Sequence, residues 1–134
     1  MADLSITAAN VVAGTGADVE WGTAGEAITA GQSLYKKADN KMWKADDTSA
    51  AEAAVEGVAL CDAGTDQPVC YITGGPLNPG AIVAVGTTYG VTDTAGGIGP
   101  ISDRASADFV SIIGVATTTS NIQVAINQAG VAIP

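Results

Sequence analysis

The chain lacks the residue types on which most active sites depend. Among 134 residues there is no histidine, and there are only two cysteines and one phenylalanine. Without histidine, neither a Ser-His-Asp triad nor a histidine general base can form. Two cysteines alone do not supply the four ligands of a structural zinc site. The sequence therefore predicts that the protein is no enzyme, with no catalytic residue, no metal site and no cofactor.

Basic residues are also scarce, with five lysines and arginines against 14 acids, and the formal net charge is −9. Nucleic-acid binding requires cations that neutralise phosphates, so this charge argues against nucleic acid and against anionic membranes as partners. No apolar run approaches the roughly 18 residues of a membrane span. The N-terminus does not have the pattern of a signal peptide. We expect synthesis in a cytoplasm-like compartment.

Large apolar side chains are few, whereas glycine is abundant at 17 residues. This composition favours short β-strands and tight turns over a helical bundle. We predict a mainly β fold, a compact β-barrel or β-sandwich, with one short helix. The thin core also suggests that part of the apolar surface is buried against a partner.

The first residues predict an extended N-terminal arm over residues 1–16, followed by a single β-domain over residues 17–134. A Gly-Thr-Gly sequence tethers the arm poorly, so its edge could pair with another chain. A frayed terminus or an ordinary first strand are the alternatives. The apolar residues of the arm are candidate partner-binding residues: Leu4, Ile6, Val11 and Val12.

A lysine-bearing hairpin is predicted next, with strands at 34–37 and 42–44 and a turn at Asp39-Asn40. Its lysines either form a basic ridge for an acidic partner or protect an edge strand from aggregation. Under the first interpretation, three of them are candidate partner-binding residues: Lys36, Lys37 and Lys41.

The one predicted helix covers residues 49–55. Ser49 and Glu52 have the spacing of a capping box, the alanines between and after them favour helix, and Gly57 supplies a stop. After it, Cys61 and Cys70 flank a second predicted hairpin and could face each other. We expect small buried thiols there, because cytosolic synthesis disfavours a disulfide.

The second half of the chain contains a degenerate repeat of the first. Gly57-Val58-Ala59 matches Gly114-Val115-Ala116 at an offset of 57 residues, and Ala30-Gly31 matches Val85-Gly86 at an offset of 55. The Gly- and Pro-rich residues 74–80 predict a junction between the copies. We expect two pseudo-repeated β-units, at about 25–75 and 80–128, that close one shared core.

Several motifs together resemble the capsid decoration (cement) proteins of tailed bacteriophages. They are Gly25-x-x-Ile28-x-x-Gly31-x-x-Leu34-Tyr35, then Gly57-Val58-Ala59-Leu60, and later Gly96-Gly97-Ile98-x-Pro100. The resemblance covers nearly the whole chain, and its motifs consist of glycines and small apolar residues.

The resemblance implies a small structural virion protein on the outer capsid surface, made in the host bacterial cytoplasm. It would clamp neighbouring major capsid subunits, often as a homotrimer, with a dimer as the alternative. In that family the N-terminal arm commonly adds a strand to the capsid protein.

Another hypothesis is a fibre-associated receptor- or glycan-binding module of a phage particle. It requires an exposed platform of five aromatic rings: Trp21, Tyr35, Trp43, Tyr71 and Tyr89. A small-ligand β-barrel is a third hypothesis, and the shortage of large apolar residues to line a cavity argues against it.

Overall fold

The computed structural model describes residues 3–103 and 108–132, and in these ranges the fold is nearly all β. Ten strands form one sheet that curls into a half-barrel. The strands are β1 (Val11–Ala13), β2 (Asp18–Thr23), β3 (Ser33–Lys36), β4 (Met42–Lys44), β5 (Val55–Ala59), β6 (Pro68–Pro79), β7 (Thr88–Val91), β8 (Ile98–Pro100), β9 (Phe109–Ala116) and β10 (Ile122–Ala132). Two short 3-10 turns, Ala8–Asn10 and Ile101–Asp103, accompany them. All pairings between these strands are antiparallel.

Strand β6 is the central strand of the sheet, because it pairs with four other strands. Its first half lies between β2 and β5, which both pair with Tyr71 and Ile72. Its second half lies between β1 and β10, which both pair with Leu77. The sheet partners of β6 therefore change near Gly74 and Gly75.

The predicted junction at residues 74–80 falls almost wholly inside β6, which continues to Pro79 without ending. Gly75 has φ +98°, a conformation that glycine adopts without a steric penalty, so the strand changes partners without ending. Pro76 cannot donate a backbone hydrogen bond, but its carbonyl accepts one from the Gly14 amide at 2.8 Å.

The order of strands in the sheet is β4-β3-β5-β6-β10-β9-β7-β8, and its two halves have corresponding arrangements. In the first half β3 lies between β4 and β5, and in the second half β7 lies between β8 and β9. Matching hydrogen bonds accompany this order. The Gly31 amide donates to the Ala59 carbonyl and the Gly86 amide to the Ala116 carbonyl, both at 2.8 Å.

The interior consists of two apolar clusters. The larger cluster includes Ile72 and Leu77 of β6 together with Ile113 and Ile122, all fully buried. The smaller cluster lies under the β3–β4 hairpin and contains eight buried residues: Ala24, Ile28, Leu34, Met42, Ala59, Ala63, Val69 and Tyr71. Strand β6 contributes to both clusters, so it couples the hairpin to the rest of the sheet.

The predicted helix at residues 49–55 is wrong, although its cap forms. The Glu52 amide donates to Ser49 Oγ at 3.2 Å, and the Ser49 hydroxyl donates to the Glu52 carboxylate at 3.0 Å. The Ala53 amide donates to the Ser49 carbonyl at 3.0 Å, which closes a single turn. Strand β5 begins at Val55, whose side chain is fully buried. Burial of Val55 in the sheet outweighs helix propagation, which is weak over so few residues.

Candidate docking surfaces

The predicted partner-binding residues of the N-terminal segment have unequal exposure. Leu4 and Ile6 are half-buried and pack against the larger cluster, and Val11 is only 8% exposed. The Leu4 amide donates to the Ile98 carbonyl at 2.7 Å, and β1 pairs with residues 77–79 of β6. Val12 alone among the four is open, at 58% exposure.

The lysine-bearing hairpin forms as predicted, with β3 paired to β4 around the turn. The turn is closed by a 3.0 Å hydrogen bond from the Lys37 amide to the Lys41 carbonyl, and Asn40 has φ +65°. The Asp39 carboxylate accepts the Lys41 amide at 2.9 Å, and this hydrogen bond is the main cause that lowers the pKa of Asp39. The turn chemistry therefore fixes the hairpin locally.

Most of the hairpin's lysines are engaged within the molecule. Lys41 Nζ lies 2.6 Å from Asp66, and this hydrogen bond is the main cause that raises the pKa of Lys41. Lys37 Nζ lies 4.1 Å from the centre of the Trp43 ring, a cation–π contact. Lys36 is exposed at the end of β3. These contacts weaken the case for a basic ridge, because they already employ two of its three candidate cations.

The first open surface is the outer edge of β2, called here the β2 edge. Within residues 3–103 and 108–132, this strand pairs only with β6, and all its residues but Gly22 are exposed. Val19 and Trp21 share one face, with 44% and 68% exposure, and Asp18 and Glu20 lie on the other. A strand with one unpaired edge and an exposed indole offers both main-chain hydrogen bonds and an apolar anchor.

The second open surface is called the apolar end. It is defined by Val12 and Ile82, which line one cleft, and by Val85, which follows three residues after Ile82 in the same loop. These side chains are 58%, 86% and 61% exposed. Val12 and Ile82 line a shallow cleft of about 440 Å³, together with uncharged residues such as Asn78 and Ser120. Single exposed aliphatic residues are ordinary, but a group of them beside an uncharged cleft indicates an interaction site.

The charges of the chain are segregated away from this end. Residues 4–17, 67–92 and 109–134 contain no charged side chain, so all 14 acids and five bases lie elsewhere. Strands β1, β6, β7, β9 and β10 fall inside these stretches. Sequence motifs did not indicate the apolar end. The long stretches without charged residues could have indicated it.

The two cysteines are neighbours at the end of the β5–β6 pair, as predicted, and both are free thiols. They are half-buried rather than buried, so the expectation of buried thiols is wrong. The Cys70 amide donates to Cys61 Sγ at 3.2 Å. Burial is the largest cause that raises the pKa of Cys70 to about 11, and a hydrogen bond with Cys61 adds to it. A thiol with so high a pKa carries little thiolate at neutral pH, so Cys70 is a poor nucleophile.

The aromatic platform required by the glycan hypothesis does not form. Tyr35, Tyr71 and Tyr89 are at most 6% exposed, and Trp43 is half-buried. Trp21 is the exposed ring of the five. In the described part of the chain, no group of three or more His, Cys, Asp or Glu is placed to hold a metal ion.

A further concavity lies beneath the N-terminal segment. It is an open groove of about 380 Å³ lined by Asp3, Ile6, Gly31, Gln32 and Gly97, among others. Its one carboxylate, Asp3, accepts a 3.1 Å hydrogen bond from the Thr92 hydroxyl. This groove is the seam between the N-terminal segment and the sheet.

Comparisons with known proteins do not identify a function. The β2 edge and the apolar end are therefore the main structural guide to it. No protein-family model matches the chain, and a search of curated proteins finds no similar sequence. In residues 3–103 and 108–132 there is no helix of the length and hydrophobicity needed to cross a membrane.

Proposed function

We propose that this protein is a structural virion protein that binds the outer surface of a phage head and clamps neighbouring major capsid subunits. The observation that carries the proposal is the pair of open surfaces with different chemistry, the β2 edge and the apolar end. Trp21 pairs with Cys70, and Val12 pairs with Asn78, so eight residue steps of β6 separate the two surfaces. At about 3.3 Å per residue the separation is at most about 26 Å.

A clamp needs two contacts that are held apart by a rigid element, and β6 supplies that element. The strand is paired on both edges and contributes to both apolar clusters. The acidic surface also suits the outside of a head, because it does not compete for the packaged genome. The resemblance of the glycine motifs to capsid decoration proteins supports the same function.

In this proposal the β2 edge contacts the shell. Its open main chain accepts an extended strand of the major capsid protein, and Trp21 supplies an apolar anchor. Asp18 and Glu20 favour a strand that carries lysine or arginine. The expected arm over residues 1–16 does not act as a free tether, because Leu4 and Ile6 pack on their own core.

The proposal retains two pseudo-repeated units, at about 25–75 and 80–128. The symmetric order of strands and the matching Gly31 and Gly86 hydrogen bonds support them. It also retains assembly as a homotrimer, with a dimer as the alternative. Several copies joined together would hold the shell far more tightly than one, because each further contact is intramolecular.

A sedimentation assay with undecorated, expanded heads of the encoding phage tests this function. The wild-type protein should pellet with the heads at a saturating ratio. The V19T/W21S variant should bind at least about tenfold more weakly, since it loses the anchor. Val115→Thr is the matched control, because Val115 is 40% exposed and lies outside both surfaces. A wild-type protein that stays in the supernatant with saturating heads would refute the function.

The alternative, a receptor- or glycan-binding module on a fibre, has one supporting observation, the 68% exposure of Trp21. It lacks the stacked platform that sugar rings require, because three of the five candidate rings are buried. Binding of the wild-type protein to an immobilised glycan, lost on Trp21→Ser, would favour it over the capsid function.

A further inference from the structure

We propose that the apolar end is the surface through which copies of this chain associate. The inference deepens the proposed function by naming the occupant of one of its two surfaces. It rests on that function in one respect: the β2 edge is reserved for contact with the capsid. Self-association itself can be measured without a head.

The first support is the exposure of the three aliphatic side chains. Ile82 is 86% exposed, and Val85 and Val12 are 61% and 58% exposed. Ile82 and Val85 lie in the loop between β6 and β7, and Val12 lines the same cleft as Ile82. Contact with a second molecule would remove this apolar surface from water, which favours association.

The second support is electrostatic. Two copies that each carry a net charge of −9 repel one another, and this repulsion normally keeps acidic proteins apart. The repulsion is smallest when the copies meet through surfaces without charge. Strands β6 to β10 contain no charged residue, and the cleft between Val12 and Ile82 is lined by uncharged side chains. A basic partner would gain no charge pairing there, so a second copy is the better occupant.

The third support is a difference between two corresponding turns. In the first half, a Cβ added at Gly31 would meet Ile6 and Val11 of the N-terminal segment, and Ala30 is only 6% exposed. In the second half, a Cβ added at Gly86 would meet nothing within 4 Å, and Val85 is 61% exposed. The N-terminal segment therefore covers the turn at Gly31, whereas the corresponding turn at Gly86 is exposed. A second copy of the chain would cover the bare turn.

The mass of the full chain in solution tests the inference, measured by sedimentation over a wide range of protein concentration and at low and high salt. We expect a species heavier than the monomer. We also expect association to tighten as salt rises, because screening weakens the repulsion while the uncharged contact is unaffected. An interface built on opposite charges would loosen instead.

Two variants and a control locate the interface. I82D/V85D should weaken association at least about tenfold, which corresponds to about 1.4 kcal/mol. I82T/V85T adds no charge and should also weaken it, which separates lost apolar contact from added repulsion. A27D/A51D makes the same change in charge at exposed sites elsewhere and should associate like the wild type. Circular dichroism and melting curves verify that each variant is folded.

A wild-type chain that is monomeric at every concentration and salt would overturn the inference. So would association that survives I82D/V85D but is lost in V19T/W21S, because the copies would then meet at the β2 edge. The two proposals fail separately: a self-associating protein that does not pellet with heads refutes only the capsid function. A monomer that pellets with heads refutes only the inference about the apolar end.

Discussion

Two glycines at matching positions allow neighbouring strands to approach closely. A Cβ at Gly57 would collide with the Ile72 carbonyl, and a Cβ at Gly114 would collide with the Gln123 carbonyl. Both collisions are with backbone, which cannot move away without disturbing the sheet. These contacts explain why the Gly-Val-Ala motif begins with glycine in both halves of the chain.

Gly57→Ala and Gly114→Ala should each destabilise the fold by about 1–3 kcal/mol, because the added methyl group forces the strands apart. The free energy of unfolding, taken from urea denaturation, measures the effect. Gly64→Ala is the control, since its Cβ would meet only the flexible Gln67 side chain. Unfolding midpoints that are unchanged for the first two variants would contradict the assigned contacts.

The Cys70 thiol predicts a loss of stability at alkaline pH. Its pKa is raised from 9.0 to about 11 in the folded chain, so the unfolded chain loses this proton at a lower pH. The unfolded state then binds fewer protons than the folded state, and stability falls as pH rises from about 9 towards 11. Burial also raises the pKa of Tyr35 and Tyr71, which adds to the trend.

Urea denaturation at a series of pH values measures this trend in the wild type and in Cys70→Ser. The variant should lose part of the pH dependence between about 9 and 11, since one of the contributing groups is gone. If the free energy of unfolding depends on pH equally in both proteins, Cys70 has the same pKa in the folded and unfolded states, which contradicts the prediction.

At the scale of elements, the N-terminal segment belongs to the folded domain. Leu4 and Ile6 pack against the larger cluster, and the Thr7 amide donates to the Gly80 carbonyl at 2.9 Å. Deletion of residues 1–10 should therefore lower the melting temperature by roughly 5 °C or more, since each kcal/mol lost corresponds to several degrees.

The control for this deletion is Ser5→Ala, which alters an exposed side chain on the same segment. Differential scanning calorimetry compares the three proteins. A truncated protein with unchanged melting temperature but without head binding would instead support the free arm predicted from the sequence.

The sequence predicted those elements whose signals are local. The β3–β4 hairpin has its strands and turn within 12 residues, so the chemistry of the Asp39-Asn40 turn was sufficient. The helix at 49–55 was wrong because burial of Val55 depends on distant strands. The second half of β6 was missed because glycine and proline indicate breaks, whereas its pairing partners are distant in the sequence: Val11 lies 68 residues before Pro79.

The candidate site was only partly predictable. Val12 and Lys36 were identified from the sequence and are exposed, whereas Leu4, Ile6 and Val11 turn inward. Exposure depends on how the segment packs against the sheet, and an apolar pattern does not show whether its face meets the same chain or another one.

At the scale of the whole molecule, charge and apolar surface are separated along the sheet. The half that contains β3, β4 and β5 carries most of the charges, and the strands from β6 to β10 carry none. One open surface is thus suited to a charged partner strand and the other to an uncharged face. This division is consistent with a protein that meets both a shell and its own copies.

The most direct test of the central proposal is a cryo-electron microscopy reconstruction of expanded heads saturated with this protein. We predict added density on the outer surface, with each oligomer lying across neighbouring major capsid subunits and the β2 edge of each copy against the shell. Heads without added density, or density in which a whole oligomer contacts a single capsid subunit, would contradict the account.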